Sequence, residues 1–182
     1  MGREIIRGLS QYEDIKIVGA VDVVNVGLDI GDLTGGKQMG IEVSPDLAQL
    51  LDKLKQRPVV IDFTHKEAAK KNIPLALEKG AYVVVGTTGL SNDDLAEFDR
   101  LAWRNKTGIM VAPNFSLGAV LMMKAAREIS RYLNQAEIIE YHNEKKLDAP
   151  SGTAIATARG MKENIDPAGF ADGAAGNGAR GA

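Results

Sequence analysis

Val59-Val60-Ile61-Asp62-Phe63-Thr64, followed by helical spacing over residues 66–79 and then by Tyr82-Val83-Val84-Val85-Gly86-Thr87-Thr88-Gly89, is the stretch that decides the fold. Each β-branched run is short, apolar on both faces and closed by polar punctuation, which reads as a buried strand. A helical crossover between two such strands makes them parallel neighbours. Working outward, further runs at 15–21 and 109–111 and helical patterns at 45–55 and 92–105 repeat the rhythm. Ser91 opens the last of these helices, with Asp93 and Asp94 in the dipole-favoured first turn. Strands apolar on both faces predict an α/β fold: a doubly wound, Rossmann-like parallel sheet covered on each side.

The rhythm changes after residue 115. Residues 117–133 read as one long helix, 136–141 as a strand, 142–148 as a polar segment and 151–163 as another helix. We therefore expect two domains, 1–115 with the parallel sheet and 116–182 of α+β type. Residues 166–182 are mostly Ala and Gly and cannot offset the entropy of ordering, so they are expected to be flexible. Residues 3–10 look like a helix that no strand precedes.

Composition narrows the function classes. Hydrophobic residues make up 45% of the 182 and charged residues 25%, a balance that supports a packed core and excludes disorder as the main state. A formal net charge of −2 offers no field for a polyanion, so no nucleic-acid partner is expected. With no Cys, and only His65 and His142 as histidines, neither a thiolate zinc site nor a histidine-rich metal site can be built. No apolar run reaches the ~20 residues a membrane span needs, and the default expectation is a cytoplasmic location. His65, ahead of a Lys-rich helix, reads as a cap or turn residue.

Four strand ends carry candidate ligand chemistry, Ile61-Asp62-Phe63-Thr64 among them. Asp22 ends the first run, where a carboxylate can accept hydrogen bonds from the ribose hydroxyls of a dinucleotide; it can equally be a strand cap. Gly86-Thr87-Thr88 ends another, with a glycine that lets backbone approach a ligand and hydroxyls and amides that can grip it. Ala112-Pro113-Asn114-Phe115 closes the fourth. Each alone is ordinary turn punctuation; the three turns at 61–64, 86–89 and 112–115, together at one sheet edge, favour a nucleotide crevice.

The most informative stretch is Glu140-Tyr141-His142-Asn143-Glu144-Lys145-Lys146-Leu147-Asp148-Ala149-Pro150-Ser151-Gly152-Thr153-Ala154. Pro150 fixes the entry to a helix that Ser151 can cap, leaving the amides of Gly152 and Thr153 pointing outward as an anion site. Lys145 and Lys146 add positive charge, and a small dicarboxylate fits better than a polymer. His142 and Lys146 are both plausible proton donors; the bland readings are a surface histidine and a solvated lysine pair.

Taken together, Ile-Asp-Phe-Thr, Val-Gly-Thr-Thr-Gly, Pro-Asn-Phe-Ser-Leu-Gly and Lys-Leu-Asp-Ala-Pro-Ser-Gly-Thr-Ala resemble the dihydrodipicolinate reductase family, also called 4-hydroxy-tetrahydrodipicolinate reductase. The resemblance implies an oxidoreductase of lysine and diaminopimelate biosynthesis that uses NADH or NADPH on a small dicarboxylate, and a homotetramer for full-length members. It places the proton donor/acceptor at His142, the proton donor at Lys146, and substrate-carboxylate contacts at Gly152 and Thr153. It places the ribose acid at Asp22, and cofactor contacts at Met1, Gly86, Thr87, Thr88, Ala112, Pro113, Asn114 and Phe115. Val23 stands where some members carry an Arg that meets a 2′-phosphate, which favours NADH.

Asn143 follows His142 where members often have a second histidine that contacts substrate; an amide can donate a hydrogen bond there but cannot carry a proton. Met1-Gly2 matches the end of the family's glycine-rich turn, and members continue well past the equivalent of Ala182. The expectation is a chain without the first strand and the C-terminal third, its substrate domain incomplete. A non-catalytic nucleotide- or dicarboxylate-binding module and an inactive fragment stay open as alternatives.

Overall fold

The structure, a computed structural model, describes residues 1–133, 135–142 and 150–164. The chain divides into two compact units, Met1–Ala112 and Pro113–Ala182. The family-implied sites Asn143 and Lys146, and the tail 166–182, lie outside the described residues.

In the first unit the order is α1 (Gly2–Leu9), β1 (Ala20–Val21), α2 (Ile30–Thr34), β2 (Val43–Ser44), α3 (Leu47–Asp52), β3 (Val59–Asp62), α4 (Lys66–Glu78), β4 (Tyr82–Val85), α5 (Asn92–Arg104) and β5 (Ile109–Val111). Two parallel sheets result, one of order β1-β2 and one of order β3-β4-β5. The deciding stretch is thus a β-α-β unit with Val59 paired to Tyr82 and Asp62 to Val85.

Alternation along β4 decides where the core sits. Val83 and Val85 are buried against Ala69, Ile73, Ala76 and Leu77 of α4 and Phe98, Leu101 and Ala102 of α5. On the opposite face Val59 is 57% exposed, Tyr82 44% and Met110 52%, so among the described residues the cover of this sheet lies mainly on the α4 and α5 side. Ile73 is fully buried, and Ile73→Ala should cost about 2–5 kcal/mol through lost transfer energy and a cavity, read as a lower urea midpoint.

The helix starts follow their caps. His65 is the N-cap of α4, its Nδ1 accepting from the Ala68 amide at 3.4 Å, as expected of a cap residue. At α5 the Ser91 hydroxyl accepts from the Asp94 amide (3.2 Å), while an Asp94 carboxylate oxygen accepts from the Ser91 amide (2.9 Å) and hydroxyl (2.7 Å). The Lys70 ammonium lies 3.0 Å from the other Asp94 oxygen. The Ser91 hydrogen bonds, then Lys70, hold the Asp94 carboxyl down at about 2. A depressed carboxyl contributes stability in full above its unfolded value of about 4 and loses it as pH falls through the folded value. The urea midpoint should therefore decline between about pH 4 and pH 2, and Asp94→Asn should flatten that segment.

Two short elements escaped the sequence reading, α2 and β2. Asp29 organises both: its carboxylate accepts from the amides of Gly31 (2.7 Å), Met39 (2.9 Å) and Ile41 (3.0 Å), and the Met39 bond leads in holding it below its ordinary range. The run at 15–21 is strand only at Ala20–Val21, because β2 meets it only there and Ile15 and Val18 are left over two-fifths exposed.

The second unit holds α6 (Leu117–Ile129) and α7 (Gly152–Lys162). They are tied where the Ser130 hydroxyl donates to the Arg127 (2.7 Å) and Met161 (3.3 Å) carbonyls and Arg127 pairs with Glu163 at 2.6 Å. Helix α6 stops at Ile129 rather than running to 133, and residues 136–141 are not a strand: a strand needs a ladder partner, and no described residue provides one.

Candidate functional site

In the first unit the pairing that sets Asp62 beside Val85 and Val85 beside Val111 aligns three strand ends. The turns that follow, at Phe63–Thr64, Gly86–Gly89 and Ala112, are therefore neighbours at the carboxyl edge of one parallel sheet. The Gly86 amide donates to the Asp62 carbonyl (2.9 Å) and the Ala112 amide to the Val85 carbonyl (3.0 Å), carrying the ladder into those turns.

Asp62, which the sequence places in one of the polar turns without a role of its own, is the hub of this edge. It is 3% exposed, and its carboxylate accepts from the Thr64 amide (3.1 Å) and hydroxyl (2.8 Å), the Asn72 side-chain amide (3.3 Å) and the Thr87 hydroxyl (2.6 Å). A buried carboxylate with four donors is fully satisfied. The signal that could have found it is an acid flanked by apolar residues in a strand both of whose faces read as buried.

This network changes the reading of the next turn. The Thr87 hydroxyl is committed to Asp62 and its residue is 7% exposed, so it anchors the turn from beneath, whereas Thr88 and Gly89 are exposed. Gly86 is required by packing: a Cβ there would lie 2.2 Å from the Phe63 ring. In this structure the space beside Gly86 is filled by that ring rather than left for a ligand.

Asp22 follows β1 in the other sheet and is exposed. One carboxylate oxygen accepts from the Val24 amide at 3.2 Å, and no described residue donates to the other. Gly19, just before β1, admits Leu50 of α3, which a Cβ at that position would meet at 2.5 Å. Met1 is 70% exposed and is the N-cap of α1.

In the second unit Ser151 caps α7, its hydroxyl accepting from the Ala154 amide at 3.1 Å. No described residue accepts from the Gly152 or Thr153 amides. Glu140 sits behind this helix end: one carboxylate oxygen accepts from the Ser151 amide (2.7 Å), and the other lies 3.7 Å from His142 Nδ1. A single carboxylate thus links the imidazole to the start of the helix, a role sequence reasoning did not assign to Glu140.

The loop ahead of α6 joins the same neighbourhood. Asn114 donates through Nδ2 to the Thr153 hydroxyl (3.0 Å) and accepts through Oδ1 from the Ser116 amide (2.8 Å). Pro113 and Phe115 on either side are exposed. Among the described residues no cluster of His, Asp and Glu could hold a metal ion, and no helix is long and apolar enough to cross a membrane.

A parallel β-α-β unit with its polar turns at the carboxyl edge, followed by a second unit, places the chain among α/β proteins of Rossmann-like type. More narrowly, the chain belongs to the dihydrodipicolinate reductase family: the family's N-terminal model matches residues 1–115 and its C-terminal model residues 118–181. Members are NAD(P)H-dependent reductases.

Curated relatives agree. The chain is 49% identical over 166 residues to the 4-hydroxy-tetrahydrodipicolinate reductase of Moorella thermoacetica, covering 91% of this chain and 62% of that protein. It is 45% identical over 159 residues to the enzyme of the same name from Carboxydothermus hydrogenoformans, covering 87% and 60%. Among solved structures, a dipicolinate-bound dihydrodipicolinate reductase from Paenisporosarcina sp. TG-14 matches with a TM-score of 0.70 at 35% identity, over 90% of this chain and 62% of that one. The chain thus spans about three fifths of the length of the relatives it matches.

Proposed function

We propose that this chain carries the cofactor and substrate groups of a reductase that converts 4-hydroxy-tetrahydrodipicolinate, through its dehydrated cyclic imine, to tetrahydrodipicolinate, in the cytoplasm and on the route to lysine and diaminopimelate. The observation that carries the reading is the start of α7, where Ser151 caps the helix, no described residue accepts from the Gly152 and Thr153 amides, and Glu140 ties His142 to the same point.

Those amides, with the helix dipole behind them, suit one carboxylate of a small dicarboxylate ring. His142 and Lys146 are assigned to proton transfer by the resemblance, Lys146 supplying charge as well. NADH or NADPH supplies the hydride. One observation supports a fit to that cofactor: the Asp22 oxygen without a described donor suits the ribose hydroxyls, which are donors. Thr88, Gly89 and Ala112 offer backbone beside the buried Thr87 anchor, and Pro113, Asn114 and Phe115 the second loop.

Titrating NADH into the purified chain while following nicotinamide fluorescence tests the cofactor half, and reductase turnover tests the rest. Saturable binding with turnover is expected. Binding without turnover would favour a non-catalytic module, and no binding overturns the reading. Because Val23 is 86% exposed beside Asp22 and carries no charge, NADH should bind more tightly than NADPH, and Val23→Arg should reverse the order. Homotetramer assembly, proposed on the same resemblance, is checked by sedimentation.

A further inference from the structure

We propose that Asn114 is a positioning residue for substrate: it fixes the polarity of the Thr153 hydroxyl so that this group donates its proton to a bound carboxylate. The proposal rests on the dicarboxylate reading above. The Ser116 backbone N–H can only donate, so the Asn114 atom it meets at 2.8 Å must be the carbonyl oxygen. That assignment leaves the NH2 group of Asn114 facing the Thr153 hydroxyl at 3.0 Å. An NH2 group can only donate, so the Thr153 oxygen is the acceptor and its own proton is directed elsewhere.

No described residue takes that proton, and Thr153 is half-buried one residue into a helix end whose amides also donate. Three donors, two amides and one hydroxyl, then converge in type, which is the complement of a carboxylate and not of a cation or an amine. A free threonine hydroxyl rotates and presents either a proton or a lone pair; Asn114 removes the choice before the ligand arrives, which is preorganisation.

A double-mutant cycle read by dipicolinate affinity tests this, by calorimetry on the purified chain with and without saturating NADH. Asn114→Ala should weaken dipicolinate by about tenfold, the size of one hydrogen bond's net effect. The same change in a Thr153→Val background should have no further effect, since there is no hydroxyl left to orient. Asn114→Asp should weaken binding more than Asn114→Ala, because its carboxylate accepts the Thr153 proton and turns lone pairs toward the ligand. Asn114→Asp in the Thr153→Val background reads the added charge alone, and the remainder is the polarity. Additive effects, or an Asn114→Asp variant no worse than Asn114→Ala after that correction, overturn the proposal.

A second readout separates this claim from the substrate reading. Thr153→Val should shift the Asn114 side-chain NH2 resonances in a 15N–1H spectrum recorded without ligand. An unmoved pair of resonances overturns the Asn114–Thr153 bond whatever dipicolinate does. A moved pair together with no dipicolinate binding by the unsubstituted chain overturns the carboxylate reading, and with it the ligand half of this proposal.

Discussion

Alanine in place of His142 should lower reductase turnover by about 10²–10⁴-fold, the usual worth of a positioned proton-transfer group, while NADH affinity changes by no more than about twofold. Glu140 faces Nδ1 at 3.7 Å, and no described residue pairs with Nε2. His142→Gln keeps hydrogen-bonding capacity but cannot shuttle a proton, and should be nearly as slow as alanine. Glu140→Gln should fall between, by about tenfold, because one of its two contacts loses its charge. Lys146→Ala should match His142→Ala; turnover indifferent to both substitutions would end the proposed proton-transfer roles.

Gly86→Ala should cost about 1–3 kcal/mol of stability through overpacking and weaken NADH beyond detection in the same titration. The added Cβ would stand 2.2 Å from one Phe63 ring carbon and 2.3 Å from the next, far inside contact distance. Either the ring swings out or the turn moves, and the turn carries Thr87, whose hydroxyl holds the Asp62 carboxylate at 2.6 Å. The penalty lies in packing and not in backbone strain, since the left-handed φ in this turn belongs to Gly89 at 83°. Accordingly the double variant Gly86→Ala/Phe63→Ala should recover most of the urea midpoint relative to Phe63→Ala alone. A midpoint for Gly86→Ala within error of the parent would show that the ring is not held there.

Much of the fold was legible because the residues that carry it speak locally. Ser91 with Asp94, Ser151 with Ala154 and His65 ahead of α4 announce helix starts by their own chemistry. The β-branched runs at β3, β4 and β5 alternate with helical spacing, and parallel pairing follows. What escaped depended on partners distant in the chain. Residues 15–18 and 136–141 have strand composition, yet a ladder needs an opposite number, and none of the described residues faces them. Asp29 and Asp62 read as ordinary acids until the amides of Met39 and Ile41, or the hydroxyl of Thr87, are brought to them by folding. At the site, the residue types were readable but their division of labour was not: Thr87 turned out to be an anchor, and Gly86 to make room for Phe63.

The open face of the β3-β4-β5 sheet has a practical result for anyone melting this protein. With Val59, Tyr82 and Met110 all more than two-fifths exposed, the native chain offers a greasy landing place for anilinonaphthalene sulfonate and similar probes. Their fluorescence will be bright before heating begins, so denaturation of variants is better followed by circular dichroism than by a dye.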